Sequence, residues 1–187
     1  MKTAWDVVTR WETFEPVEHR PPIPEVLVEA MLAVAVSWGW LRWAAITLIG
    51  FRGIVRPGEP VSAQRSHLLL PQDLLQSNLD HFYFKIEKPK TRKRGGAKVQ
   101  HSKIVGVDVV AFVVAVFAAL PRHEKLYPGS ASHYRRRWDA ILKALEVPPC
   151  LKLTPGGLRG GGAVAAYRHG TPVSDILWRM RIKHMQT

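Results

Sequence analysis

Two apolar runs decide most of what this chain can be. The first, "AMLAVAVSWGWLRWAAITLIGF" (30–51), is broken by a Gly-Trp pair and by Arg42; the second, "IVGVDVVAFVVAVFAALP" (104–121), is short and carries Asp108. A membrane-spanning helix wants ~20 apolar residues free of charge. Neither run meets that demand, so both read as helices buried in a protein core. At 187 residues with 47% hydrophobic content, the chain can bury such a core in one domain. Its seven tryptophans supply large apolar anchors or stacking surfaces.

The rest of the chain sorts around those runs. Residues 1–22 form a polar, Pro-rich lead-in, and the N-terminus "MKTAWDVVTRWETFEP" mixes acids and bases where a signal peptide would be apolar. A helix starts at Glu25 and is interrupted at Gly39; a second ends near Gly50 or Gly53. Pro57, Gly58 and Pro60 then break regular structure around Arg56 and Glu59. "HLLLPQDLL" reads as a short extended piece and a turn. "HFYFKIE" and "KVQHSKIVGV" alternate like the arms of a β-hairpin, with Gly95-Gly96 between them. "VVAFVVAVFAAL" reads as a helix stopped by Pro121, with a strand as the competing reading because valine favours one. "SASHYRRRWDAILKALEV" is a capped amphipathic helix. Thr154 is expected to cap a helix opened by Pro155 and closed by Gly170, and Thr171-Pro172 to start another, "SDILWRMRIKHM". The fold expected is α+β, mostly helical, with a small antiparallel sheet.

Charge narrows the partner. The net charge is +12, which favours a polyanion, nucleic acid first. It is densest in "KIEKPKTRKRGGAKVQHSK", where Lys88, Lys90, Arg92, Lys93, Arg94 and Lys98 ride on the expected hairpin and can neutralise phosphates. Cys150 is the sole cysteine, so no internal disulfide forms and no zinc site can be built from several thiolates. The spacing of His67, His81 and His101 fits no metal-ligand motif.

Two arginines stand apart from this basic run. Arg56 follows an apolar helix in a Gly/Pro-rich turn, and Glu59 is placed to hold its guanidinium; Arg52 competes for the same role. Arg159 sits among five glycines in "TPGGLRGGG". Glycine is a poor helix former, so another demand must favour it there. One reading is close approach of a phosphate backbone; the other is tight helix packing with Arg159 facing water.

Taken in order, these features resemble the tyrosine recombinase, or phage integrase, family over about residues 25–187. "LIGFRGIVRPGEPVSAQRSHLLL" is similar to its first motif, "IEKPKTRKRGGAKVQHSKI" to its lysine-bearing hairpin, and "TPGGLRGGGAVAAYRHGTPVSDILWRMRIKH" to its second box. The resemblance implies a catalytic domain over 23–187. Its catalytic groups would be Arg56, Lys90, Arg159 and His184, with Glu59 in support and Lys88 and Lys93 as rivals of Lys90. It also implies metal-free phosphoryl transfer without a cofactor, duplex DNA as partner for a monomer or a homo-oligomer, and an intracellular, DNA-associated location. Two features depart from the pattern. Gly156 stands where the family has a histidine. None of Tyr83, Tyr127, Tyr134 and Tyr167 matches its nucleophile, so the 187 residues are expected to bind DNA without cleaving it. A non-catalytic nucleic-acid-binding module is the alternative.

Overall fold

The computed structural model describes residues 20–75, 79–87 and 99–182. Its centre is a helix that is buried nearly all round. Helix α1 (Glu25–Ser37) ends in a turn where Gly39 takes φ +71°. That left-handed conformation is cheap only for glycine. It sends the chain back along α1 as α2 (Leu41–Arg52), in which Trp43, Ala44, Ala45, Ile46, Thr47, Ile49 and Phe51 are all buried. The first apolar run is therefore two antiparallel helices around one core. Among the described residues no helix is long and apolar enough to cross a membrane.

After α2, a short helix α3 (Gly58–Ser62) follows the turn at Ile54–Pro57. The expectation that Pro57, Gly58 and Pro60 break all regular structure here is corrected. Pro57 and Pro60 fall in and before the first turn of α3, where a missing N–H costs nothing. Strand β1 (Leu68–Leu69), strand β2 (His81–Ile86) and strand β3 (Gln100–Val105) make an antiparallel sheet in the order β1-β2-β3. His81 pairs with Val105 and Ile86 with Gln100. The alternation read from sequence is real: Phe82, Phe84, Ile86 and Ile104 face the core, while His101, Lys103 and Val105 face out. Ser102, also inward, donates to the Gly53 carbonyl at 2.8 Å and ties the sheet to the end of α2.

The valine-rich run is a helix, α4 (Val107–Phe117), with Val110, Val113 and Phe117 buried. Burial on one side of a 3.6-residue repeat outweighs the β preference of valine. A buried arginine joins α4 to the sheet. Arg65 donates from Nε to the Phe117 carbonyl, from Nη1 to the Leu68 carbonyl, and from Nη2 to both oxygens of Asp73. Helix α5 (Ala131–Ala144) starts where the Ser130 hydroxyl accepts from the His133 N–H. Its Tyr134 stacks on Trp43 of α2, and its Trp138 meets the same ring at a tilt of 51°. Thr47 and Tyr134 share a hydroxyl hydrogen bond of 2.8 Å inside this aromatic cluster. So two of the tryptophans are core anchors. Trp40 instead lies under Arg137, 4.6 Å from guanidinium carbon to ring centre.

The last two helices are α6 (Leu158–Arg168) and α7 (Val173–Arg179). Gly170, at φ +82°, closes α6 as expected. Thr154 does not cap it. A 3₁₀ turn over Pro155–Gly157 intervenes, and the Thr154 hydroxyl is buried without a partner among the described residues. The reason lies in the lead-in, which docks on this turn: the Ile23 N–H donates to the Gly157 carbonyl at 3.3 Å.

Three of the five glycines around Arg159 answer to the protein's own backbone. A Cβ on Gly157 would lie under 3.0 Å from the Pro21 carbonyl oxygen, one on Gly161 from the Ile23 oxygen, and one on Gly162 from the Phe51 oxygen. At these three positions the reading in which glycines admit a DNA backbone is therefore corrected. They let α6 lie against the 21–23 segment on one side and the end of α2 on the other. Helix α7 is also shorter than the sequence pattern suggests. Arg181 takes φ +59°, its N–H donates to the Trp178 carbonyl, and the Ile182 N–H donates to the Leu177 carbonyl. That pair of bonds is a Schellman closure, with an arginine where glycine is usual.

Candidate active site

Arg56 is delivered by a strained turn. Ile54, a β-branched residue, sits at φ +52°, a conformation such residues rarely adopt. Ile54 and Val55 are both buried, and the Ile54 N–H donates to the Phe51 carbonyl at 3.2 Å. Packing thus holds the turn, and Arg56 emerges from it. Glu59 locks the local geometry as expected from sequence: its Oε2 accepts from the Arg56 backbone N–H at 2.8 Å, and its Oε1 lies 3.6 Å from Arg56 Nη1.

Arg52 does not compete for this place. It pairs with Glu25 at 2.9 Å, and Glu25 also meets His169 at 2.8 Å. Arg52, Glu25 and His169 line a separate polar groove with Arg168 and Arg179.

Arg159 is the second residue of α6, and it is half-buried rather than facing water. Its Nη2 donates to the Met180 carbonyl, which anchors the end of α7 to α6. Its Nε is buried and has no partner among the described residues. Burial, and then the positive charges of Arg56 and Arg181, pull its pKa down to about 10, with Glu59 opposing. Arg56, Glu59 and Arg159, the three described residues in the set chosen from sequence, therefore lie within one another's electrostatic reach.

Arg181 is the residue that sequence reasoning missed. Its Nη2 donates to Glu59 Oε2 at 2.9 Å, and both side chains are only 12% exposed. One carboxylate thus serves two guanidiniums from elements far apart in the chain. No local signal reveals this, because Arg181 looks like one more basic residue in the "WRMRIKH" pattern.

The remaining sequence-chosen residues, Lys88, Lys90, Arg92, Lys93, Arg94, Lys98 and His184, lie outside the described residues. Strands β2 and β3, which flank the basic run, are described and paired. Gly156, where the resemblance expects a histidine, is covered by Arg20: a Cβ there would fall under 3.0 Å from that guanidinium.

The tyrosines are placed as follows. Tyr134 is buried, and desolvation pushes its phenol well above the ordinary range. Tyr127 is buried too, its hydroxyl 3.3 Å from His133 Nδ1. Tyr167 is exposed on α6, and Tyr83 sits on β2. Among the described residues, no group of three His, Cys, Asp or Glu side chains could hold a metal ion.

No protein-family model matches the chain, and no curated protein matches it. Ten chains of solved structures do match in fold. One of them is the crystal structure of XerA recombinase, similar with a TM-score of 0.65 and 18% identity over 89% of this chain and 58% of that one. The chain therefore spans a little over half the length of that structure. At this identity the likeness is one of fold: a mostly helical α+β domain with a small antiparallel sheet.

Proposed function

We propose that this chain is the phosphate-gripping part of a tyrosine recombinase-type, DNA breaking-and-rejoining domain, with duplex DNA as its partner. The observation that carries the reading is the convergence of Arg56 and Arg159 on one region, with Glu59 fixing the first and three cationic side chains competing there. Two arginine forks suit a phosphodiester, whose non-bridging oxygens accept paired, charge-assisted hydrogen bonds. The same forks would favour the more negative, five-coordinate phosphorus of a strand-transfer step.

In this reading Lys90 protonates the leaving 5′-oxygen, a general-acid role worth ~10²–10⁴-fold in rate. His184 donates a hydrogen bond to a phosphate oxygen. Lys88, Arg92, Lys93, Arg94 and Lys98 neutralise neighbouring phosphates along the duplex. The attacking tyrosine of such chemistry matches none of the four tyrosines, and burial of Tyr127 and Tyr134 disqualifies those two. In this reading the groups named above hold a phosphodiester, and cleaving it would need a tyrosine from outside this set. The second reading, a duplex-binding module with no strand chemistry, draws on the net charge of +12 and needs no nucleophile.

Binding to a short labelled duplex, measured across a salt series, tests the proposal. Arg159→Ala should weaken binding and flatten the dependence on salt. Unchanged affinity and an unchanged slope would remove Arg159 from the interface. Mixing the chain with a nicked duplex and a synthetic tyrosine-bearing segment separates the two readings, because only a recombinase-type centre could form a covalent protein–DNA product.

A further inference from the structure

We propose that Arg181 is a third phosphate ligand of this centre, turning its guanidinium outward to the DNA phosphodiester assigned above to Arg56 and Arg159. The inference rests on the proposed function and deepens it. Three observations support it.

The first is donor satisfaction. Arg181 uses Nη2 on Glu59, while Nε and Nη1 are covered by protein and have no partner among the described residues, so a phosphate meets them only when the guanidinium, 12% exposed, turns outward. Arg159 Nε is in the same condition. Buried guanidinium donors are ordinarily paired, and leaving them unpaired is costly. Three such nitrogens on two neighbouring arginines call for an acceptor with several lone pairs. A phosphodiester offers two non-bridging oxygens that share one negative charge.

The second is charge. Arg56, Arg159 and Arg181 contribute three positive charges against the single carboxylate of Glu59, a balance of 3 − 1 = +2. Partly buried cations in that excess repel one another, and a bound anion relieves the repulsion.

The third is placement. Arg181 occupies the left-handed position of a Schellman closure, at φ +59°, where glycine would be free of strain. Arg159 holds the preceding carbonyl, that of Met180, so the strained residue is fixed beside Arg159. With Gly156 offering no imidazole, Arg181 supplies donors that the second box lacks.

The rival account makes Arg181 only a latch, tying the end of α7 to Glu59. The two accounts predict different signs. The test is fluorescence anisotropy of the whole chain with a short labelled DNA duplex across a sodium chloride series, with circular dichroism to confirm folding. Arg181→Gln should flatten the plot of log affinity against log salt by about 0.9, which is roughly an eightfold loss at about 0.1 M salt. Glu59→Gln retains an acceptor for the Arg56 N–H while removing a negative charge, and should tighten binding. A latch would make both variants weaken binding together, and that result overturns the proposal. So does an unchanged slope for Arg181→Gln. If Arg181→Gln fails to fold, Arg181→Lys carries the test: it retains the charge toward Glu59 but loses the planar fork, and should bind several-fold more weakly with nearly the wild-type slope. Affinity equal to wild type would count against the third ligand. Arg159→Gln is the reference. If it loses slope while the Arg181 variants do not, only this inference falls. If it changes nothing, the proposed function falls with it.

Discussion

Gly162→Ala and Gly160→Ala, two residues apart on α6, should move stability in opposite directions. A Cβ at 162 meets the Phe51 carbonyl oxygen at under 3.0 Å, whereas a Cβ at 160 meets only Pro22, at an ordinary 3.5 Å. Alanine in a helix interior gains about 1 kcal/mol over glycine. At 160 nothing opposes that gain, so Gly160→Ala should stabilise by about 0.5–1 kcal/mol. At 162 the obstacle is backbone, which cannot rotate away, and overpacking costs typically 1–3 kcal/mol, sometimes more. Subtracting the helix gain leaves a net loss of roughly 1–2 kcal/mol for Gly162→Ala. The displacement also has a direction. The Phe51 oxygen accepts from Ile54, the strained residue that leads into Arg56, while α6 itself carries Arg159. Pushing these two elements apart should therefore weaken DNA binding at temperatures where the variant is still folded. Urea titration followed by circular dichroism measures the stabilities, and a change in midpoint at constant slope identifies a change in folding energy. If Gly162→Ala proves as stable as Gly160→Ala, the backbone contact does not exist and the account of the glycines is wrong.

Three further outcomes are expected. Asp73→Ala strips the two-oxygen partner from Arg65, whose side chain is 5% exposed, and should cost about 3–5 kcal/mol by thermal or chemical denaturation; a loss below 1 kcal/mol would mean that water reaches the guanidinium. Tyr134→Phe removes a buried hydroxyl from Thr47 and should cost about 1 kcal/mol while leaving DNA affinity unchanged, which titration of the labelled duplex checks. Burial and the neighbouring cations hold the folded-state pKa of Arg159 down to about 10, below its unfolded value, so above pH ~10 the unfolded chain holds more protons and stability shifts toward the folded state. Wild type should therefore gain on Arg159→Gln between about pH 9 and 11 in paired denaturation curves, and parallel curves would refute the crowding of cations around Arg159.

What the sequence revealed follows from how far each interaction reaches along the chain. Gly39 divides its apolar run because a left-handed turn is a one-residue property. The hairpin arms alternate because the two faces of a strand alternate, and the Ser130 cap lies three residues from the N–H it binds. The Arg56–Glu59 pair was legible for the same reason. The packing of Gly157, Gly161 and Gly162 was not, because their partners are Pro21, Ile23 and Phe51, more than a hundred residues away. Arg181 was hidden likewise, standing 122 positions from the carboxylate it shares. Thr154 was misread because a favourable local cap lost to docking of the distant lead-in on Gly157.

That docking has a consequence for assembly. Three consecutive glycines make α6 a poor helix by itself, and an isolated segment of its length is marginal in water even with good helix formers. It gains order by being threaded between two segments synthesised long before it, a pairing of high sequence separation that carries a large loop-closure penalty. A nascent chain would thus leave the ribosome with its core largely buildable and with Arg56 and Arg159 not yet brought together. On the proposed function, attraction to nucleic acid through these arginines would switch on late, once the residues through Arg181 have emerged and closed against the start of the fold.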